Sequence, residues 1–153
     1  MAERDPTLSG GNYPAYEVDY AAWLDAQLDL LRERRFAELD IDHLVDEVSD
    51  LGASNYRSFV SALRIVLLHM LKWDLQEDYR SRSWADSIDE HRSRLRDELD
   101  ASPSYKGRLS TAMETAYRQA RAEAAAETKL PLRTFPETNP FSWDDVLSRP
   151  HHI

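Results

Sequence analysis

From Leu44 to Trp73 the positions Leu44, Val48, Leu51, Asn55, Phe59, Leu63, Val66, Met70 and Trp73 follow one another at steps of three or four. No proline interrupts them, and all but Asn55 are apolar. The period places one stripe on a helix of about thirty residues, more than twice the ordinary length of a globular helix. A strand cannot use this spacing, because alternation by two would scatter the same side chains over both faces. Gly52 lies inside the stretch without shifting its phase, at a cost of about 1 kcal/mol relative to Ala. One long helix is therefore the reading adopted, and a bend or break at Gly52–Ser54 is its alternative.

The rest of the chain is punctuated for helices as well. Its seven prolines fall at positions 6, 14, 103, 131, 136, 140 and 150, outside every long periodic stretch, and there are four glycines. Residues 1–14 have no apolar period and are expected to form a flexible N-terminal arm. Tyr16, Tyr20, Trp23, Leu24, Leu28 and Leu31 then predict a first helix from Tyr16 to about Arg35. Asp40 or Asp42 is placed to accept the first free amides of the long helix. Ser83 with Asp86 reads as the cap of a third helix whose narrow stripe is Trp84, Ile88, Leu95 and Leu99. Ser102–Pro103 opens a fourth, since proline at the first helical position loses no bond. That helix runs to about Thr128, and its alanine-rich second half lets another backbone approach closely. Residues 129–141 are too proline-rich for a helix and should lie as an extended wrap. Ser142 then caps a last short helix over 142–148. The fold class expected is all-α, a single-domain helical bundle over residues 15–150 with a long second helix and an extended Pro-rich C-terminal segment.

Composition narrows the function classes. With 153 residues and no cysteine, the chain matches one domain that needs no disulfides. The longest charge-free apolar run, Ile65 to Leu71, is far short of the ~20 residues that cross a bilayer. Residues 1–12 are polar and contain Glu3, Arg4 and Asp5, so no secretory signal is expected and the protein is placed in the cytoplasm. A formal charge of −9 repels phosphate backbones and disfavours nucleic acid as the main partner. Sixteen of the nineteen basic residues are Arg, which codon usage in a GC-rich genome explains as well as any demand for guanidinium chemistry.

Three groups of residues could carry chemistry. The long helix opens on Asp40, Asp42, Asp46, Glu47 and Asp50, and at 100° per residue His43, Glu47 and Asp50 share one flank. A His and two carboxylates so spaced could hold a divalent metal between paired helices. The plainer account is that carboxylates favour a helix N-terminus through its dipole. His69 lies on the apolar seam, and if a hairpin turns near Arg80 it faces His91, a second candidate metal pair with Glu114 as a third ligand. A lone His on such a seam is more often a hydrogen-bonded core residue. Glu47 and His69 would be about 33 Å apart on an unbroken helix and could meet only across a dimer. The third group, Arg80, Arg82 and Trp84, could bind a phosphate or stack on a base. Here Asp78, Asp86, Asp89 and Glu90 interleave with the arginines and offer ordinary surface pairs instead. Neither a nucleophile elbow, a phosphate loop nor a dinucleotide fingerprint occurs. The four tryptophans read as core anchors near helix ends.

Several strings in order carry a resemblance. They are Tyr16-Glu17-x-Asp19-x-x-x-Trp23 with Gln27 and Leu30-Leu31-Arg32, then Leu44-Val45-Asp46-Glu47-Val48, His69-Met70-Leu71-Lys72-Trp73, Arg80-Ser81-Arg82-Ser83-Trp84, Ser102-Pro103-Ser104 and Ala116-Tyr117. Over about residues 16–147 the chain resembles the bacterial family called domain of unknown function 29. It departs from that pattern at Asp46, Met70 and Asn139, where the family tends to carry Glu, Leu and Cys. The resemblance implies a soluble helical domain without an established activity, and it marks Glu47, His69, Lys72, Trp73, Arg80, Arg82 and Trp84 as positions to follow. The same residues could equally build a polar network that fixes helix register.

With no complete catalytic constellation, the function expected is a non-enzymatic interaction protein that presents a helix face to a protein partner or to a second copy of itself, without a cofactor. A metal-binding protein or metal-dependent enzyme using His43, Glu47 and Asp50, or His69 and His91, is the second reading. A phosphate or nucleic-acid module around Arg80, Arg82 and Trp84 is the third.

Overall fold

The computed structural model describes residues 13–152. Most of the arm expected over residues 1–14 lies outside that range. Tyr13 is buried and donates its hydroxyl to the Glu38 carbonyl at 3.0 Å. Five α-helices carry the described chain: α1 (Tyr20–Arg32), α2 (Ile41–Leu75), α3 (Arg82–Ala101), α4 (Leu109–Thr128) and α5 (Trp143–Ser148). Short 3-10 turns join them, and no strand occurs among the described residues, so the class is all-α. Contacts gather into two compact units, residues 1–53 and 54–153, and α2 runs through both.

In the first unit, α1 starts four residues later than its apolar period suggests. Asp19 is extended, and its carboxylate accepts the Ala22 amide at 3.0 Å, which fixes the cap there. Tyr16 is left in the preceding turn. The helix ends when Arg34 takes a left-handed φ of 59°. The Arg35 amide then reaches the Leu30 carbonyl and the Arg34 amide the Leu31 carbonyl, a Schellman closure with arginine where glycine is usual. The buried apolar residues of the unit are Tyr13, Trp23 and Leu30, with Leu24, Leu39 and Leu44 packed against them.

Helix α2 is continuous for 35 residues, as the stripe predicts, and it does not break at Gly52. A Cβ placed on Gly52 would meet nothing within 4 Å. Every residue from Val48 to Asn55 is exposed, a stretch of about two turns of the helix.

In the second unit, Phe59, Leu63, Val66, Leu67, Met70 and Leu71 of α2 form the spine of the core. On α4, Ala112, Ala116, Ala120 and Ala124 recur every four residues and are fully buried, making the small-residue stripe that permits close approach. Helix α3 begins at Arg82, not near Ser83, because Ser81 accepts the Trp84 amide and takes the cap. Ser102–Pro103 does open a helical turn, but of 3-10 type over Pro103–Arg108 before α4 proper. The C-terminal stretch is tied down by side chains that donate to its carbonyls. The Tyr117 hydroxyl reaches Pro136 O at 2.6 Å, and Arg121 reaches Phe135 O and Leu132 O, each at 3.2 Å. Ser142 and Asp145 form a capping box on α5. The buried Arg92 of α3 donates to Val146 O and Asp145 O, the last carbonyls of that helix.

Candidate functional site

The sequence-marked residues collect into two groups, one in each unit. In the first unit the group is a network of aromatic and acidic side chains. Glu47 accepts both the Tyr16 hydroxyl, at 2.6 Å, and the Tyr20 hydroxyl, at 2.8 Å. Asp40 accepts the Trp23 indole N–H at 3.1 Å, pairs with His43 Nδ1 at 2.7 Å and receives the His43 amide. The Asp40 amide is in turn donated to Gln27 Oε1 at 2.8 Å. His43 stacks on Tyr16 with ring centres 4.2 Å apart, and its Nε2 faces Glu17 Oε1 at 3.3 Å. Two helical spacings arrange this locally: Tyr16, Tyr20 and Trp23, at i, i+4 and i+7, precede and enter α1, and Asp40, His43 and Glu47, at i, i+3 and i+7, open α2.

Protonation follows from these bonds. The Tyr16 hydroxyl bond to Glu47, helped by desolvation, pushes the Tyr16 pKa up to about 12, and Tyr20 is raised for the same reasons. Donation from Tyr16 and Tyr20 holds the Glu47 carboxyl below its ordinary range. For Asp40, desolvation is outweighed by the bonds from His43 and Trp23, and its pKa is lowered. Asp40 raises the pKa of His43, with Glu17 adding to it. A tyrosine so hard to ionise is a poor nucleophile, and both ring nitrogens of His43 already face carboxylates. Chemically, the group is a clamp that fixes α1 against the start of α2.

The expected metal ligands are placed as follows. Both Glu47 oxygens are engaged by tyrosines, and Asp50 is exposed. His43, Glu47 and Asp50 do not converge, and no group of three or more His, Asp or Glu side chains does so among the described residues.

In the second unit, Lys72 is buried, pairs with Glu127 at 2.7 Å and lies over the Trp84 ring at 4.5 Å. His69 neighbours the same ring at 6.3 Å, with its Nδ1 buried and unpartnered among the described residues. Burial, then the Lys72 charge, lowers the pKa of His69, and His91 is near enough to add to that. His91 Nδ1 itself meets the Ser87 carbonyl at 2.8 Å. Arg80 donates Nε to Trp73 O at 2.9 Å and stacks on the Trp73 ring, so it closes the turn between α2 and α3. Arg82 is exposed on the first turn of α3. His151, buried against Trp73, has its pKa lowered to about 4 by burial. A groove of about 630 Å³ runs beside α4, lined by Tyr117, Arg118, Arg121, Leu132, Glu137 and Asn139. Its Arg121 is already committed to two backbone carbonyls.

Sequence reasoning missed Tyr16, Tyr20 and Gln27 as polar partners. It counted the tyrosines in an apolar stripe, and the hydroxyl signal was hidden in the sequence distance to Glu47. No helix of the described residues is long and apolar enough to cross a membrane. The chain matches no curated protein and no solved structure. The strings from Tyr16 to Gln27 and around Glu47 contribute to the first group, and His69 to Trp84 to the second. Together they lie within residues 15–151, the span matched by the family model, and the chain belongs to the family described as domain of unknown function DUF29.

Proposed function

We propose that this is a non-enzymatic binding protein whose first unit offers the start of α2 to another protein. One observation carries the reading. Ile41, Val45, Val48 and Leu51, large apolar residues on one flank of α2, are 55%, 57%, 68% and 62% exposed. Single exposed apolar side chains are ordinary, but four along three turns of one helix form a stripe, and stripes of this kind mark interaction sites. The tyrosine–glutamate and tryptophan–aspartate clamp supports the reading, because it holds α2 by another flank and leaves the stripe exposed.

The test is a photoreactive residue in place of Val48 in the full chain, in its own cells. One defined protein is expected to crosslink there and not when the same residue replaces Leu132, which is exposed on the second unit. The purified partner should then bind the chain and lose that binding with Val45→Ser and Val48→Ser together. Absence of a crosslinked species at Val48, or the same species at both positions, overturns the reading.

A further inference from the structure

The stripe has an electrostatic setting that selects what can cover it. Residues 1–53 contain 13 acidic and four basic residues, whereas residues 54–153 contain fifteen of each. The entire formal charge of −9 therefore belongs to the first unit. Around α2, Asp42, Asp46 and Asp50 follow each other at steps of four, Asp42 next to Val45 and the other two turning progressively away from the stripe, and none has an ion-pair partner among the described residues. Ile41, Val45 and Val48 recur at i, i+4 and i+7, the register in which one helix reads another. From Ile41 to Leu51 the stripe is about 15 Å long, the length of about three helical turns.

We infer that the occupant is a basic amphipathic helix of a different protein, with an apolar face against the Ile41–Leu51 stripe and Lys or Arg drawn to Asp42 at its edge and to the negative field of the unit. This rests on the binding reading above and adds the partner's chemistry. Apolar contact supplies the burial, and opposite charge supplies orientation and fast encounter. Lys and Arg suit the rim, because their alkyl stems cover apolar surface while their charged heads face Asp42 and the field of the acidic unit. A second copy is a poor occupant, since each would bring its own charge of −9 to the contact. A membrane surface is also a poor one, because helices that lie on anionic lipid carry basic polar faces.

The test uses the full chain and a labelled model peptide of Leu and Lys, about five turns long, with Leu at i, i+3, i+4 and i+7. Two controls have the same length: a scrambled peptide that breaks the helical period, and one with Glu for every Lys. By fluorescence anisotropy the amphipathic Lys peptide should bind, and the two controls should bind about tenfold more weakly or not at all. Val45→Ser with Val48→Ser should weaken binding about tenfold, while Leu132→Ser leaves it unchanged. Asp42→Asn, Asp46→Asn and Asp50→Asn together should flatten the salt dependence of the affinity. Equal binding of the scrambled peptide, or no effect of the valine substitutions, overturns the inference. So does a dimer in sedimentation that the same valine substitutions dissociate. A defined protein crosslinked at Val48 that proves acidic would overturn the partner's chemistry and leave the binding reading intact. No crosslink at Val48 would remove both.

Discussion

The two units are held together by different means. Residues 54–153 bury twenty apolar side chains in one cluster, whereas the described part of residues 1–53 buries three. The larger unit is electrically neutral and uses its charged residues mainly as ties: Arg64 to Glu123, Lys72 to Glu127, Arg149 to Asp74 through both guanidinium nitrogens. The smaller unit carries all the net charge, orients its helices through hydroxyl, indole and imidazole bonds to two carboxylates, and leaves large aliphatic residues in water. A unit with so small a core cannot gain much by burying more within itself. The contrast agrees with the proposal above, in which the larger unit supplies stability and the smaller meets a partner.

The most severe way to break this comparison is to empty each core in turn. Trp23→Ala should cost about 3–5 kcal/mol and Leu63→Ala about 2–5 kcal/mol, since both residues are fully buried. NMR spectra of the first variant should lose dispersion for residues 20–40 while those of 59–147 keep it, and the second should do the reverse. A single collapse of the whole chain in both variants would refute a division of labour between the units. Next in size is Arg92→Met, which removes the donors to Val146 O and Asp145 O. A loss of about 2–3 kcal/mol is expected, together with rapid proteolytic cleavage near α5, and retained protease resistance would count against it.

The histidines sharpen the contrast because they point in opposite directions. His43 is raised by Asp40, so its contribution is fully present below the unfolded pKa of about 6.5 and is lost as pH rises through its folded value. His69 and His151 are lowered by burial, so their neutral forms are favoured above that same value, and stability falls as pH drops toward the folded pKa, about 4 for His151. Glu47 is lowered, and its contribution disappears only in acid below the ordinary carboxylate range. Between neutral pH and mild acid, the first unit should hold or gain resistance to urea while the second loses it. Imidazole proton titrations by NMR, with urea midpoints read from each unit, would show this. Parallel trends in both units would contradict it. The smallest effect concerns helix exits. Arg34 and Lys129 both have left-handed φ of 59°, and Arg34→Gly or Lys129→Gly should each stabilise by about 0.5–1 kcal/mol in thermal unfolding.

How much of this is legible in the sequence depends on whether a feature is periodic or pairwise. The continuity of α2 is readable because one glycine costs less than the apolar seam gains, and no proline intervenes. The α4 alanine stripe and the capping box at Ser142 are readable because their partners lie three or four residues away. Helix starts were missed by two to four residues where two residues compete to cap, Ser81 with Ser83, or where an aromatic continues the period beyond the cap, as Tyr16 does beyond Asp19. The angular reading of α2 puts Glu47 on one flank with His43, and the structure keeps the two adjacent. What it joins to, Tyr16 and Tyr20, depends on a chain reversal at Phe36–Glu38, and periodicity within one helix has no term for that. Asp40 read as a cap, and its second role as acceptor for the Trp23 indole needed the same reversal.

The stretch from Val48 to Asn55, exposed on every side and containing Gly52, has a consequence in helix–coil language. Two turns that lie so exposed are held chiefly by their own backbone hydrogen bonds, and a segment that short is marginal when isolated in water. Its helicity is propagated from the residues on either side, and Gly52 is the position of lowest propagation weight. Hydrogen exchange beyond the first turn of α2 should therefore be fastest for the amides of residues 52–56, which bond back to the carbonyls of 48–52, while the turns that pack on the two cores remain protected. Covering the stripe with a partner would restore protection there without any change of fold.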